Sequence, residues 1–576
     1  MADHKKKLRY LLLLFIIYNS FFLNKAFHID DPFTIGIAEA INKNPVIVPF
    51  EGDSIARIIE TIPVDLLDKP LALGNNPLLI GYYYAPIIRF LGEREFWLHL
   101  FLLPFSVLAI ISMYFLSSRF VARPFLPTLL LVISPVFLIM SQSIMLDIPL
   151  LSFFLLSATV FIYGVDKDNI PLLFLSGLLA GLASLIKYSG LLLIALMALY
   201  ILIKRKQKRY YLFLLIPLAI FIVWCGRDFL FYGKIYFLEV LSGKLQAIRH
   251  PPQGAFTMRI FAFLSFLSGV TITPVFFLPW LTKVKRRKAI LLVSLVAGFL
   301  PVLLKNIFME YTAVEKTFLA MLFISSTFII CIMIEAGINS LSRKSQDNDK
   351  AFLALWFLLV LVFTVVIQFV AARFLLLLLP PMFIIIYQQA ESSDGFLRPL
   401  FKNTFKIAVL FTLVISTVLA AGDYYSAGLY RDFIVSLKNG NRPYREIYIC
   451  PASYYFHLAW GYAYYVSKYY PGLLYLDPEP ALDKNKELVF VAPTRGVLPV
   501  AINKICCKKM KEEDYSRHLI KRVCYKGNVT LHHRNFRAGF YSHDWGLLPF
   551  HLSFCEVPLE AFEIYSLNPK TRSTGE

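Results

Sequence analysis

Two adjacent carboxylates, Asp30 and Asp31, sit in the stretch Phe27-His28-Ile29-Asp30-Asp31-Pro32, just past the first long apolar run, Leu8 to Leu23. Acidic side chains so close to a bilayer are costly to place, so by default they mark a site. A third carboxylate, Asp147, opens a later apolar run in Ser143-Ile144-Met145-Leu146-Asp147-Ile148-Pro149. Alone it reads equally well as a helix cap, since a carboxylate suits the helix dipole and a proline two residues on suits the first turn. With the aspartate pair expected on the same face of the membrane, a shared site is favoured. Two cations add to it. Lys187, in Ser184-Leu185-Ile186-Lys187-Tyr188-Ser189-Gly190, and Arg373, in Ala371-Ala372-Arg373-Phe374, fall in tight turns on the side where basic residues are disfavoured. A cation kept there suits an anionic partner, and lipid phosphate is the nearest one. For a single residue, snorkelling to ordinary headgroups explains as much. His28 and His99 lie near the same face, Arg227 and Asp228 read as an ion pair, and the loop through Lys244, Arg249 and His250 reads as a surface connection or a cover.

The elements that must position these residues are membrane spans. Hydrophobic residues make up 57% of the chain and charged ones 17%, and the mean hydropathy is +0.62, which excludes an ordinary soluble globule and implies a polytopic α-helical membrane protein. The formal charge of +20 lies in short clusters between apolar runs, as cytoplasmic loops require, so it calls for no nucleic-acid partner. The first run lacks a small-residue cleavage site and reads as a retained span. A polar segment over 25–95 follows as a first outer loop. Spans are then expected at 96–118, 124–141, 148–165, 170–186, 188–203, 211–232, 259–281, 289–308, 317–337, 351–372, 374–390 and 405–422, making about thirteen with the first.

With the N-terminus inside, every second connection is basic: Arg119 with Arg123, the 204–209 cluster, the 283–288 cluster, Arg343 with Lys344, and Arg398 with Lys402 and Lys406. The first loop, the turn before Asp147, the 233–258 loop and everything after Gly422 then share the outer side. Residues 1–422 form the expected transmembrane catalytic domain. The tail, 423–576, with strand-like runs at 446–450, 473–476 and 487–491, reads as a small soluble α/β domain. Five of the seven cysteines, Cys450, Cys506, Cys507, Cys524 and Cys555, fall in this tail, where an oxidising compartment would favour one or two disulfides.

The combination resembles a known superfamily. His28-Ile29-Asp30-Asp31 followed by the helical Ile35-Gly36-Ile37-Ala38-Glu39-Ala40, and Met145-Leu146-Asp147-Ile148-Pro149-Leu150 opening a later span, are similar to the GT-C glycosyltransferases. More narrowly they look like the branch holding protein O-mannosyltransferases and lipid A aminoarabinose transferases. Asn76-Pro77-Leu78 with Phe90-Leu91-Gly92, the run Gly177 to Tyr188, and Arg373-Phe374 before Leu379-Pro380 look like that branch too. Ile29 and Asp31 depart from the branch's usual His-Pro-Asp-Glu.

The resemblance implies a multi-pass enzyme of a bacterial or archaeal cell membrane that moves a sugar from a polyprenyl-phosphate donor to an acceptor on the outer face. Protein, lipid A and surface glycan are all open as acceptors, and membrane lipids are the surrounding partners. On this reading Asp30 is the base on the acceptor, while Lys187 and Arg373 hold the donor phosphate. Asp147 orients the acceptor or Asp31, or joins them on a divalent cation, which some of these enzymes use and others do not. The competing class is a transporter or flippase of lipid-linked sugars, but such proteins tend to place charges near the midplane on broken helices. Here the charges cluster at span ends.

Overall fold

The computed structural model describes residues 2–46, 48, 76–249, 254–271, 287–304, 306–341, 348–366, 369–391, 397–438, 447–449, 459–469, 488–493 and 515–569. Helices arise where apolar runs let the backbone satisfy its own polar groups, as a bilayer demands. In chain order they are α1 (Ala2–Ser20), α2 (Asp31–Lys43), α3 (Leu79–Leu91), α4 (Glu95–Phe120), α5 (Phe125–Ile133), α6 (Pro135–Met140), α7 (Asp147–Asp166), α8 (Ile170–Ile186) and α9 (Leu192–Ile203). They continue with α10 (Leu215–Tyr232), α11 (Tyr236–Arg249), α12 (Ala255–Gly269), α13 (Arg287–Leu303), α14 (Ala313–Leu341), α15 (Asn348–Val366), α16 (Leu379–Glu391), α17 (Leu397–Lys438) and α18 (Ala459–Tyr469). The chain is a polytopic helical membrane protein. Among the described residues, 6 helices are long and apolar enough to cross a bilayer, and shorter apolar ones stand at Ile170–Ile186, Tyr188–Ile203, Ala255–Gly269 and Lys288–Leu303.

The expected run 124–141 is two helices, because Pro135 has no N–H to continue the ladder and instead starts α6 at its first turn. The run expected to end at 422 continues in α17 as far as Lys438. Beyond the membrane part of that helix Tyr430, Phe433 and Ile434 remain buried, so its last turns are held by packing. Gly177 and Gly181, one turn apart on α8, let that helix close on Ile216 and Ile220 of α10.

The helix α7 is 20 residues long, about 30 Å, and its two ends differ in chemistry. At its Asp166 end, Arg119 binds Asp166 at 2.5 Å and Asp349 at 3.1 Å, Lys204 binds Asp349 at 2.5 Å, and Tyr200 donates to Asp166. That cluster ties the ends of α4, α7 and α9 to the start of α15. At the other end lies the candidate site.

The C-terminal region contains β1 (Ile447–Ile449), β2 (Leu488–Pro493), β3 (Tyr515–Thr530), β4 (His532–His533), β5 (Ala538–Gly539) and β6 (His551–Pro569). The main sheet has the order β1-β2-β6-β3, with β1 and β2 parallel and the other pairs antiparallel. β1 lies within the expected strand 446–450, and β2 overlaps the expected 487–491 and runs two residues past it; the third, 473–476, falls outside the described residues. The long β3/β6 pair was not foreseen. Cys524 and Cys555 are free and exposed, and the other three tail cysteines lie outside the described residues.

This region packs closely on the helices. Val529 covers Gly422, Pro549 covers Gly269, and the Phe433 and Phe562 rings stack at 3.8 Å. Gly461 of α18 lies against the carbonyl of Phe27 and the Cα of His28. A methyl group there has nowhere to go, so Gly461→Ala is expected to destabilise the protein by about 1–3 kcal/mol through overpacking. Gly226 of α10 faces open space, and Gly226→Ala should be neutral or gain up to ~1 kcal/mol. Thermal unfolding of both variants in detergent checks this. Equal midpoints would mean that α18 does not clamp the first loop.

Candidate active site

The approach to Asp30 is a turn of unusual backbone. Ile29, buried and β-branched, has φ +52°, in the left-handed region that such residues avoid. Past it, Asp30 stands at the N-cap of α2 without capping the helix through its side chain, and Pro32 occupies the first turn. Beyond this left-handed step the two neighbouring carboxylates take different partners.

Asp30 turns toward the cations. Its carboxylate pairs with Arg373 Nη2 at 2.7 Å, and its side chain keeps 29% exposure, against 7% for Arg373. Arg373 reaches the site from the short 3-10 turn Ala372–Leu377, with Nε 3.8 Å from Asp147 and Nη1 against Met145 Sδ. Asp147 is the first residue of α7 and makes no capping bond. It accepts instead from Lys187 Nζ at 2.8 Å, with the carboxylate 6% and the ammonium 18% exposed. Lys187 closes α8 in extended conformation, and the chain folds back through the Gly190 N–H to the Lys187 carbonyl. Gly190 is needed there, since a Cβ would collide with the Ala183 backbone. Phe374 lies beneath both cations, 4.7 Å from Lys187 Nζ and 5.5 Å from the Arg373 guanidinium carbon.

Asp30, Arg373, Asp147 and Lys187 thus form one chain of alternating charge, drawn from four separate elements. A further cation is near. Lys244 of α11 has its pKa lowered by burial and by the like charge of Lys187. The sequence placed Lys244 on a connecting segment without linking it to Lys187.

Asp31 stands apart. It is fully buried, and its Oδ2 meets the His28 backbone N–H at 3.1 Å and His28 Nδ1 at 3.2 Å. The other edge of the His28 ring meets the Tyr541 hydroxyl at 3.1 Å and Asp423 Oδ2 at 3.3 Å. Asp423 in turn accepts from Tyr541 at 2.8 Å and from Lys25 at 2.5 Å, and Lys25 also reaches Ser143. Burial and the Lys25 charge pull the His28 pKa down, but Asp423 and Asp31 outweigh them and raise it. Both ring nitrogens face acceptors, as an imidazolium requires. His532, beside Asp423, is pushed down to about 3 by burial and stays neutral. Lys25 and His28 therefore face two carboxylates, Asp31 and Asp423. Burying such a group without that balance would be very costly.

Sequence reasoning missed Lys25, Asp423 and Tyr541. Lys25 carried the same signal as Lys187, a cation at the end of a span on the disfavoured side. His99 stacks with Phe27, and Arg227 does pair with Asp228, at 3.1 Å. Among the described residues no group of three or more His, Cys, Asp or Glu is placed to hold a metal ion. The two carboxylates of the open cluster already share Arg373, an arrangement that does not fit a divalent cation.

Residues 75–225 match the family described as "Dolichyl-phosphate-mannose-protein mannosyltransferase", a stretch that includes Asp147 and Lys187. No curated protein matches the chain. Among solved structures it is similar to ArnT from Cupriavidus metallidurans bound to undecaprenyl phosphate, at 14% identity and TM-score 0.39, covering 84% of this chain and 92% of that one. It is also similar to the Archaeoglobus fulgidus oligosaccharyltransferase, at 12% identity and TM-score 0.48, covering 90% and 73%. The same archaeal protein, in complex with an inhibitory peptide and a dolichol-phosphate, gives 12% identity and TM-score 0.46, covering 90% and 72%.

Proposed function

We propose that the chain is a membrane glycosyltransferase of the GT-C superfamily that moves a sugar from a polyprenyl phosphate to an acceptor at the outer face with inversion of the anomeric carbon. The observation that carries this reading is the alternating cluster of Asp30, Arg373, Asp147 and Lys187 at one end of α7. Arg119 and Lys204, basic residues at the opposite end of α7, support a cytoplasmic placement of that end, with the cluster facing outward. The tail 423–576 then lies on the outer side, as a domain built onto residues 1–422.

In this reaction the bond from the sugar C1 to the phosphate oxygen breaks, and a bond from C1 to the acceptor oxygen or nitrogen forms. The leaving phosphate gains negative charge. Lys187 and Arg373 stand where that charge would develop, with Lys244 near Lys187, and Phe374 keeps both heads in place. A polyprenyl phosphate leaves as an anion and needs no proton donor. The acceptor must lose its proton, and Asp30, the most exposed of the site's carboxylates, is the base that takes it. Asp147 contacts both cations and so sets their spacing, while Asp31 is a buried support.

A single reactive carboxylate implies one displacement, hence inversion; retention requires a second, nucleophilic carboxylate within reach. The test is transfer by purified full-length protein in nanodiscs, from a synthetic polyprenyl-phosphate sugar, with the product anomer assigned by NMR. The inverted anomer is expected. A retained product would sink the one-base mechanism, and failure to transfer any sugar from a panel of such donors would sink the activity.

A further inference from the structure

We propose that His28, Asp423 and Tyr541 are positioning residues for Asp30, holding the left-handed turn at Ile29 from which its carboxylate projects. The inference rests on the reading of Asp30 as the acceptor base. It starts from a conflict in the backbone. An Ile in the left-handed region is unfavourable because its Cβ crowds the backbone, and such a conformation survives only where the surroundings over-determine it. Glycine would relieve it, yet the position is filled by a buried, β-branched side chain.

The residues on either side of Ile29 show what holds the turn. Before it, the Phe27 N–H donates to the Tyr465 hydroxyl, and the His28 ring is gripped at both edges, by Asp31 on one side and by Tyr541 with Asp423 on the other. After it, the Asp31 N–H returns to the His28 carbonyl at 3.0 Å and the Phe33 N–H to the Asp30 carbonyl at 3.2 Å. His28 is therefore the fixed point against which the step at Ile29 is taken. None of the three side chains that grip its ring is exposed.

The same C-terminal segment holds the other partner of Asp30. The Phe540 carbonyl accepts from the Ala372 N–H at 2.8 Å, next to Arg373, and the Val370 carbonyl accepts from the His543 N–H at 2.9 Å. His543 Nδ1 meets the Val370 N–H in return. Residues 540 and 541 thus touch the backbone beside Arg373 with one residue and the His28 ring with the next. A single strap fixes both the carboxylate and the guanidinium that faces it, although they are more than three hundred residues apart in sequence. A network that served only for packing would have no reason to end on the two residues flanking this ion pair.

Tyr541→Phe removes one oxygen and leaves the Lys25 and His28 contacts of Asp423 intact, so the variant should fold. Full-length protein in nanodiscs would be assayed for kcat, for donor KM with a polyprenyl-phosphate sugar, and for hydrogen exchange at the amides of 28–34. Loss of the Tyr541 hydroxyl should lower kcat by roughly 10- to 100-fold, the range for a misplaced catalytic group, leave donor KM unchanged, and speed exchange at Asp31 and Phe33. In an Ile29→Gly background, where the turn is unstrained, the same change should cost far less in kcat. Unchanged kcat and exchange in Tyr541→Phe, on an active wild type, would overturn the positioning role. So would equal losses in both backgrounds. A wild type without any transfer would instead count against the activity, and leaves the exchange measurement to judge the turn.

Discussion

Asp30→Asn is expected to insert, fold and bind donor as the wild type does while transfer falls by about 100-fold or more, in line with loss of a general base. The substitution keeps the shape at the N-cap of α2, and an amide oxygen can still accept from Arg373 at the 2.7 Å contact. What disappears is the ability to take a proton from the acceptor. Turnover at saturating donor, with donor affinity measured separately, makes the comparison. A variant with near-normal turnover would show that another group is the base. The neighbouring Asp31→Asn offers the contrast: with Asp31 buried against His28, its loss should lower stability and, acting through the His28 ring, reduce turnover less than Asp30→Asn does.

Arg373→Gln should be the second most damaging change, for two reasons that the geometry separates. The guanidinium is nine-tenths buried and lies between Asp30 and Asp147, so its removal takes away a charge-assisted contact to the donor phosphate worth about 1–3 kcal/mol. It also leaves two carboxylates facing each other without the cation between them. Like charges raise a carboxylate's pKa, so Asp30 would hold its proton to higher pH. The acid limb of the pH–rate profile is expected to move upward, and activity lost at neutral pH to return in part as pH rises. Lys187→Gln should weaken donor use without moving that limb, because Lys187 contacts Asp147 and not Asp30 among the described residues. An unmoved acid limb in Arg373→Gln would mean that Arg373 does not set the basicity of Asp30.

Much of this was legible in the sequence, and what was not has physical causes. The span ends carried Asp147 and Lys187 into view because charge is costly at a membrane boundary and every such residue asks for a partner. Which partner each would take was not written there. Arg373 could have met phosphate alone, and its pairing with Asp30 depends on how the turn at Ala372–Leu377 and the start of α2 are brought together in space. The pair Asp30-Asp31 looked like one acidic feature, whereas the fold makes one an open carboxylate facing Arg373 and the other a buried carboxylate facing His28. Sequence patterns carry no sign of a left-handed isoleucine. The hairpin of β3 and β6 escaped for a different reason: register shifts at 519/521, 525/526 and 527/529 interrupt the two-residue alternation by which a half-buried strand is read. The helix α17 outran its expected end because Asp423, which resembles the start of a polar tail, is an interior residue paired with Lys25.

The strap at residues 540–543 also bears on the order in which the molecule comes into being. Synthesis runs from the N-terminus at about 5–20 residues per second, and the first loop with Asp30 emerges well before the segment that supports it. Its support at Tyr541 follows more than five hundred residues later, with the backbone contact at Phe540 beside it. On the proposed orientation the nascent protein carries its base across the membrane early and remains inert until the tail follows and closes on it. A chain that stalls or is cut before Phe540 would sit in the bilayer with neither the turn before Asp30 nor the backbone beside Arg373 fastened, and so would be unable to spend lipid-linked sugar.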